Sequence, residues 1–105
     1  MLDRIVLERP AVIVVDMLND FVTGPLEIKR AKVVIVPLQR LLTAARLNEV
    51  PVIYSNDAHY PQDVEVSRKW GKHAIKGTPG AEVIAELQPE KAVIFKVLLK
   101  CLIHT

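Results

Sequence analysis

The chain has 105 residues, 50% hydrophobic and 25% charged, which fits one soluble domain over residues 1–105 with room for a single core. Its formal net charge is +2, from 14 Lys and Arg against 12 Asp and Glu, and the basic residues are scattered, so nucleic acid is not indicated as a partner. One cysteine excludes an internal disulfide and favours a reducing compartment. The start MLDRIVLERP carries acids among its apolar residues, unlike a signal peptide, and no apolar run approaches the roughly 20 residues of a membrane span, so a cytoplasmic protein without a membrane partner is expected.

In chain order, the first element is AVIVV, residues 11–15, an unbroken β-branched run suited to a strand covered on both faces. It stops at Asp16, and Asp20 and Phe21 follow four and five residues later. PLQRLLTAARLN places Leu38, Leu41, Leu42 and Ala45 at i, i+3, i+4 and i+7, one face of a helix, with Pro37 in its first turn and Asn48 as a left-handed stop. VPVIYS, 50–55, is a second strand. A long loop from Asn56 to Thr78 follows, long enough to suggest a site. TPGAEVIAEL predicts a second helix with Pro79 near its start, Val83, Ile84 and Leu87 facing inward, and Pro89 beyond its end. KGTPGA lacks the glycine spacing of a phosphate-binding loop and reads as the turn that starts this helix. AVIF, 92–95, is a third strand, followed by Lys96. The order β-α-β-α-β implies right-handed crossovers and a parallel sheet.

Ligands of open parallel sheets bind outside the carboxyl ends of the strands. Asp16 follows the first strand, Asp57 and His59 the second, and Lys96 the third. Singly, each is an ordinary solvated or capping residue. Together they bring ionisable groups to one edge, where Asp16 and Lys96 would pair in a poorly solvated crevice that shifts pKa values.

AVIVVDMLNDFV, PLQRLLTAARLNEVPVIYSNDAH and WGKHAIKGTPGAEVIAEL together resemble the isochorismatase-like cysteine hydrolases, which include isochorismatases, nicotinamidases and N-carbamoyl amidohydrolases. The resemblance implies a three-layer α/β/α sandwich around a parallel sheet and hydrolysis of a C–N or C–O bond in a small metabolite. It implies a catalytic trio of Asp16, Lys96 and a cysteine, in which the carboxylate takes the thiol proton and the ammonium stabilises the thiolate. Phe21 matches an aromatic that flanks the substrate; as a plain sequence feature it is equally a core residue. Asp57, His59 and His73 match positions where nicotinamidases hold a divalent metal, commonly zinc, while other relatives use the same positions for loop hydrogen bonds. Leu18 replaces a usual Gln of nicotinamidases, and Ala58 and Tyr60 replace a Trp and a Pro, so the substrate stays open.

After Lys96 the resemblance stops. The tail CLIHT resembles the family's C-V-x-H-T nucleophile motif, yet Cys101 comes only five residues after Lys96. A helical 97–104 would put it about 7.5 Å along the axis from Lys96. Cys101 is therefore either the nucleophile or a small buried hydrophobe of an apolar tail. The fold is expected to be incomplete at its C-terminal side, and a non-catalytic assembly or ligand-binding module is the alternative function. Strands needing cover on both faces, with only two helices to supply it, predict a homo-oligomer, first of all a two-fold dimer.

Overall fold

The computed structural model describes residues 6–90. The predicted strand 92–95, Lys96 and Cys101 lie outside the described residues. Among the described residues two strands form, β1 (Val12–Val15) and β2 (Val52–Ser55), paired in parallel with Val12 opposite Val52 and Val15 opposite Ser55. Between them lie a single-turn helix α1 (Asn19–Val22), a 3₁₀ stretch Lys29–Val34 and the helix α2 (Ile35–Leu47). A parallel sheet with helices is the expected α/β class.

Period-2 geometry sorts the strand residues. Val14 and Tyr54 point into the core with Leu42 of α2, and Val12 and Val52 pack against that core from its margin. Tyr54 is tied at its far end, where its hydroxyl donates to Leu87 O at 2.8 Å and accepts from Arg46 Nη2 at 3.1 Å. Buried tyrosines need such a partner for the hydroxyl. The other face of β1 differs from the expectation of two-sided cover: Ile13 is 60% and Val15 57% exposed.

α2 begins two residues before Pro37, whose missing N–H costs nothing in a first turn. Leu42 and Ala45 are buried and Leu38 half-buried, whereas Leu41 is 47% exposed and lies at the edge of the apolar stripe. The left-handed residue that ends the helix is Glu49, with φ 58°, and not Asn48, with φ −103°. Asn48 instead caps from its side chain, donating to Ala44 O at 2.7 Å.

The predicted second helix does not form. TPGAEVIAEL holds two 3₁₀ turns, Pro79–Ala81 and Ala85–Leu87, around an extended stretch at Glu82–Ile84. Tertiary hydrogen bonds override its helical pattern: Asn19 N–H donates to Glu82 O at 2.9 Å and Ile84 N–H to Met17 O at 3.0 Å, bridging Leu18 to Val83. Val83, Ile84 and Leu87 are nonetheless buried as predicted.

Candidate active site

Parallel strands bring their carboxyl ends to one edge, and there the two strands are tied together. Asp16 N–H donates to Ser55 O at 3.0 Å, and Asp57 N–H donates to Asp16 Oδ1 at 2.8 Å. At Asp16 the backbone turns into the left-handed region, φ 54°, which aspartate tolerates because its short side chain can bond locally. Burial pushes the Asp16 carboxyl above its ordinary value; the Asp57 N–H works against that rise, the Asp57 carboxylate adds to it, and His59 opposes it. A carboxylate of raised basicity at a strand end is suited to accept a proton.

Beside it stand two buried imidazoles. His59 Nε2 lies 3.6 Å from Asp57 Oδ2, and its Nδ1 lies 3.7 Å from Asp63 Oδ2. Asp63 Oδ2 also accepts the Tyr60 N–H at 2.9 Å. The His73 ring meets His59 edge-on, with centroids 4.8 Å apart, and Phe21 at 5.9 Å. Its Nδ1 is 2.7 Å from Gly71 O. A carbonyl only accepts, so this contact places a proton on Nδ1. The loop is pinned to itself by His59 N–H to Ala74 O and Lys76 N–H to His59 O, both 2.8 Å.

The structure thus brings Asp16, Asp57 and His59 together, with His73 and Phe21 behind His59. Phe21 belongs to the core cluster, as its core reading expects, with its ring centroid 5.9 Å from that of His73. Asp63 was not legible as a site residue, although its position four after His59 is a usable signal. Asn56, buried at the end of β2, has a side-chain Oδ1 without a hydrogen-bond partner among the described residues. It borders a cavity of about 140 Å³. A larger cavity, about 510 Å³, lies by Val50 and Pro51 at the opposite end of β2 and is remote from these groups.

The expected metal donors do not assemble. Among the described residues no three His, Cys, Asp or Glu side chains form a group able to hold a metal ion. Both nitrogens of His59 face carboxylates, and the His59–His73 contact is ring against ring. Asp57, His59 and His73 in this arrangement do not fit a zinc centre. Metal analysis of protein purified without a His-tag should accordingly return well under one zinc, iron or manganese per chain. A full equivalent that is lost in His59→Ala or His73→Ala would refute this reading.

The isochorismatase domain, as a family, matches residues 10–102. The chain belongs to the isochorismatase family. Family membership agrees with the solved structures it is similar to. N-carbamoylsarcosine amidase from Thermoplasma acidophilum shares 42% identity over 80% of this chain and 48% of its own, with a TM-score of 0.73. A pyrazinamidase of Pyrococcus horikoshii in complex with zinc shares 27% over 87% and 52%, with a TM-score of 0.76. A cysteine hydrolase from Pseudomonas syringae pv. phaseolicola shares 35% over 86% and 46%, with a TM-score of 0.68. The chain spans about half the length of these structures. No curated protein matches the sequence. Among the described residues no helix is long and apolar enough to cross a membrane.

Proposed function

We propose that this isochorismatase-family chain carries the proton-accepting part of an Asp-Lys-Cys site that hydrolyses the C–N bond of a small amide. The observation that carries the reading is Asp16: a half-buried carboxylate of raised basicity, fixed by the Asp57 N–H at the carboxyl edge of the sheet. The similar structures named as amidase and pyrazinamidase favour an amide over a C–O substrate.

In this reading Asp16 takes the Cys101 thiol proton and the Lys96 ammonium stabilises the thiolate. Sulfur attacks the carbonyl carbon, the C–N electron pair leaves with the amine, and Asp16 returns the proton to that amine, leaving a thioester. Water then attacks the thioester. It yields one proton through Asp16 to the departing sulfur and so restores the thiol and releases the acid. Asp57 and His59 act through Asp16 by setting its basicity.

Alkylation by iodoacetamide across pH tests the nucleophile. Cys101 should react with an apparent pKa below about 8.5, the free-thiol value, and Lys96→Met should raise it. Ammonia release from a panel of N-carbamoylsarcosine, pyrazinamide and nicotinamide should disappear in Cys101→Ser. A thiol inert until unfolding, with ammonia release unchanged in Cys101→Ser, would end the assignment. The second reading, a non-catalytic module of the same fold, is favoured by the bare Ile13 and Val15 on β1. It predicts no ammonia from any amide of the panel.

A further inference from the structure

The mechanism uses Asp16 and leaves Asp20 without a role, although both belong to DMLND. Asp20 sits on α1, yet its Oδ2 accepts the N–H of Ala74, 54 residues away, at 2.8 Å. Ala74 is fully buried and holds φ 45°, a conformation that a residue with a Cβ adopts only when its surroundings impose it. It is the immediate neighbour of His73, and its carbonyl receives the His59 N–H.

Two glycines make room for the carboxylate. A Cβ at Gly80 would collide with the Asp20 carboxylate, and one at Gly24 would lie 2.6 Å from Asp20 Cα and Oδ1. Neither glycine needs a left-handed backbone, since Gly71 and Gly77 are the positive-φ glycines of the described residues. Their smallness serves Asp20. The adjacent Asn19 fastens the same loop further on, its Nδ2 donating to Pro79 O at 2.8 Å.

We infer that Asp20 is a positioning residue for the imidazole wall of the site: seated between Gly24 and Gly80, it holds the Ala74 N–H and thereby keeps His73 turned in against His59 and Phe21. The carboxylate supplies a charged acceptor to a backbone amide whose φ would otherwise relax. Releasing it should free Ala74 and let His73 leave the edge-on contact, while the β1–β2 pairing, which Asp20 does not touch, persists. The inference rests on reading that wall as part of the catalytic edge, but its test involves no hydrolysis, so it and the hydrolase reading fail separately.

The full chain, ¹⁵N-labelled, is compared with Asp20→Ala, Asp20→Asn and Gly80→Ala by amide hydrogen exchange and by the imidazole ¹⁵N resonances. In Asp20→Ala the Ala74 amide should exchange at least tenfold faster. The His73 nitrogens should move from the pattern of a proton fixed on Nδ1 toward the averaged pattern of two tautomers. The Val12 amide, bonded to Pro51 O, should keep its protection. Gly80→Ala should reproduce both changes, because the new methyl displaces the carboxylate. Asp20→Asn, whose side-chain oxygen can still accept, should restore at least part of the protection. If Asp20→Ala does not fold, Gly80→Ala against Asp20→Asn carries the comparison. Unchanged Ala74 exchange and His73 resonances in the first and third variants would overturn the inference. So would equal loss of protection at Val12, which would mark Asp20 as a general structural residue.

Discussion

Asp16→Asn should lower the proposed amide hydrolysis by about 10²–10⁴ and, at pH 7, raise the melting midpoint of the same protein. The two effects come from one cause. Burial holds the Asp16 carboxyl above its ordinary value, so the folded state binds its proton more tightly than the unfolded chain does. For a carboxylate shifted upward, its favourable contribution is present at low pH. It is lost as pH rises from the unfolded value near 4 through the folded one. At neutral pH the ionised group is a net cost to folding. Asparagine carries no charge at any pH, and its side-chain oxygen can still accept the Asp57 N–H. The variant should therefore gain on the wild type as pH rises from the unfolded value near 4 through the raised folded one, and keep its margin above that. Because solvent still reaches the carboxyl, that margin is a small fraction of the stability of the domain. Loss of a general base costs typically about 10²–10⁴ in rate. Ammonia release and thermal scans at several pH values measure both. A midpoint that falls, or a difference that ignores pH, would show that Asp16 is held for structure and not strained for chemistry.

The sequence made some of this site visible and hid other parts, for physical reasons. Val12–Val15 and Val52–Ser55 were legible from short apolar runs rich in Val and Ile, and their carboxyl ends placed Asp16, Asp57 and His59 together. The stretch after Thr78 misled because Val83, Ile84 and Leu87 are spaced as a helix would space them. The same residues are buried here by pairing with Met17–Asn19, a long-range contact with no local signal. Cover for β1 was overestimated for a related reason: a run without alternation says that both faces are apolar, not that both are covered. The imidazole wall was half legible. His59 and His73 were visible as a ligand pattern, yet Asp63 competes for His59 and Gly71 O takes the His73 proton, neither of which spacing reveals. Asp20 stood in plain view in the motif, but its partner Ala74 is 54 residues away.

The 105-residue chain should not persist as a folded monomer, and the reason lies on the bare side of β1. Ile13 and Val15 point away from Val14 onto a sheet face that leaves both more than half exposed. Solitary apolar residues on a surface are ordinary, but two β-branched side chains side by side on a sheet face form a patch that water solvates poorly. The chain covers only about half of the similar structures, 48% of one and 52% of another. For this chain the simplest cover is a second copy, and a two-fold dimer, the commonest closed assembly, would set Ile13 and Val15 against their equivalents. Sedimentation equilibrium at low micromolar concentration should then give a mass above the 11.8 kDa of one chain. Ile13→Lys with Val15→Lys puts two charges on each side of that contact and should weaken association at least a hundredfold, while the Val14 and Tyr54 side of the sheet keeps its packing. A wild-type species of 11.8 kDa that melts cooperatively under these conditions would mean that the exposed face needs no partner.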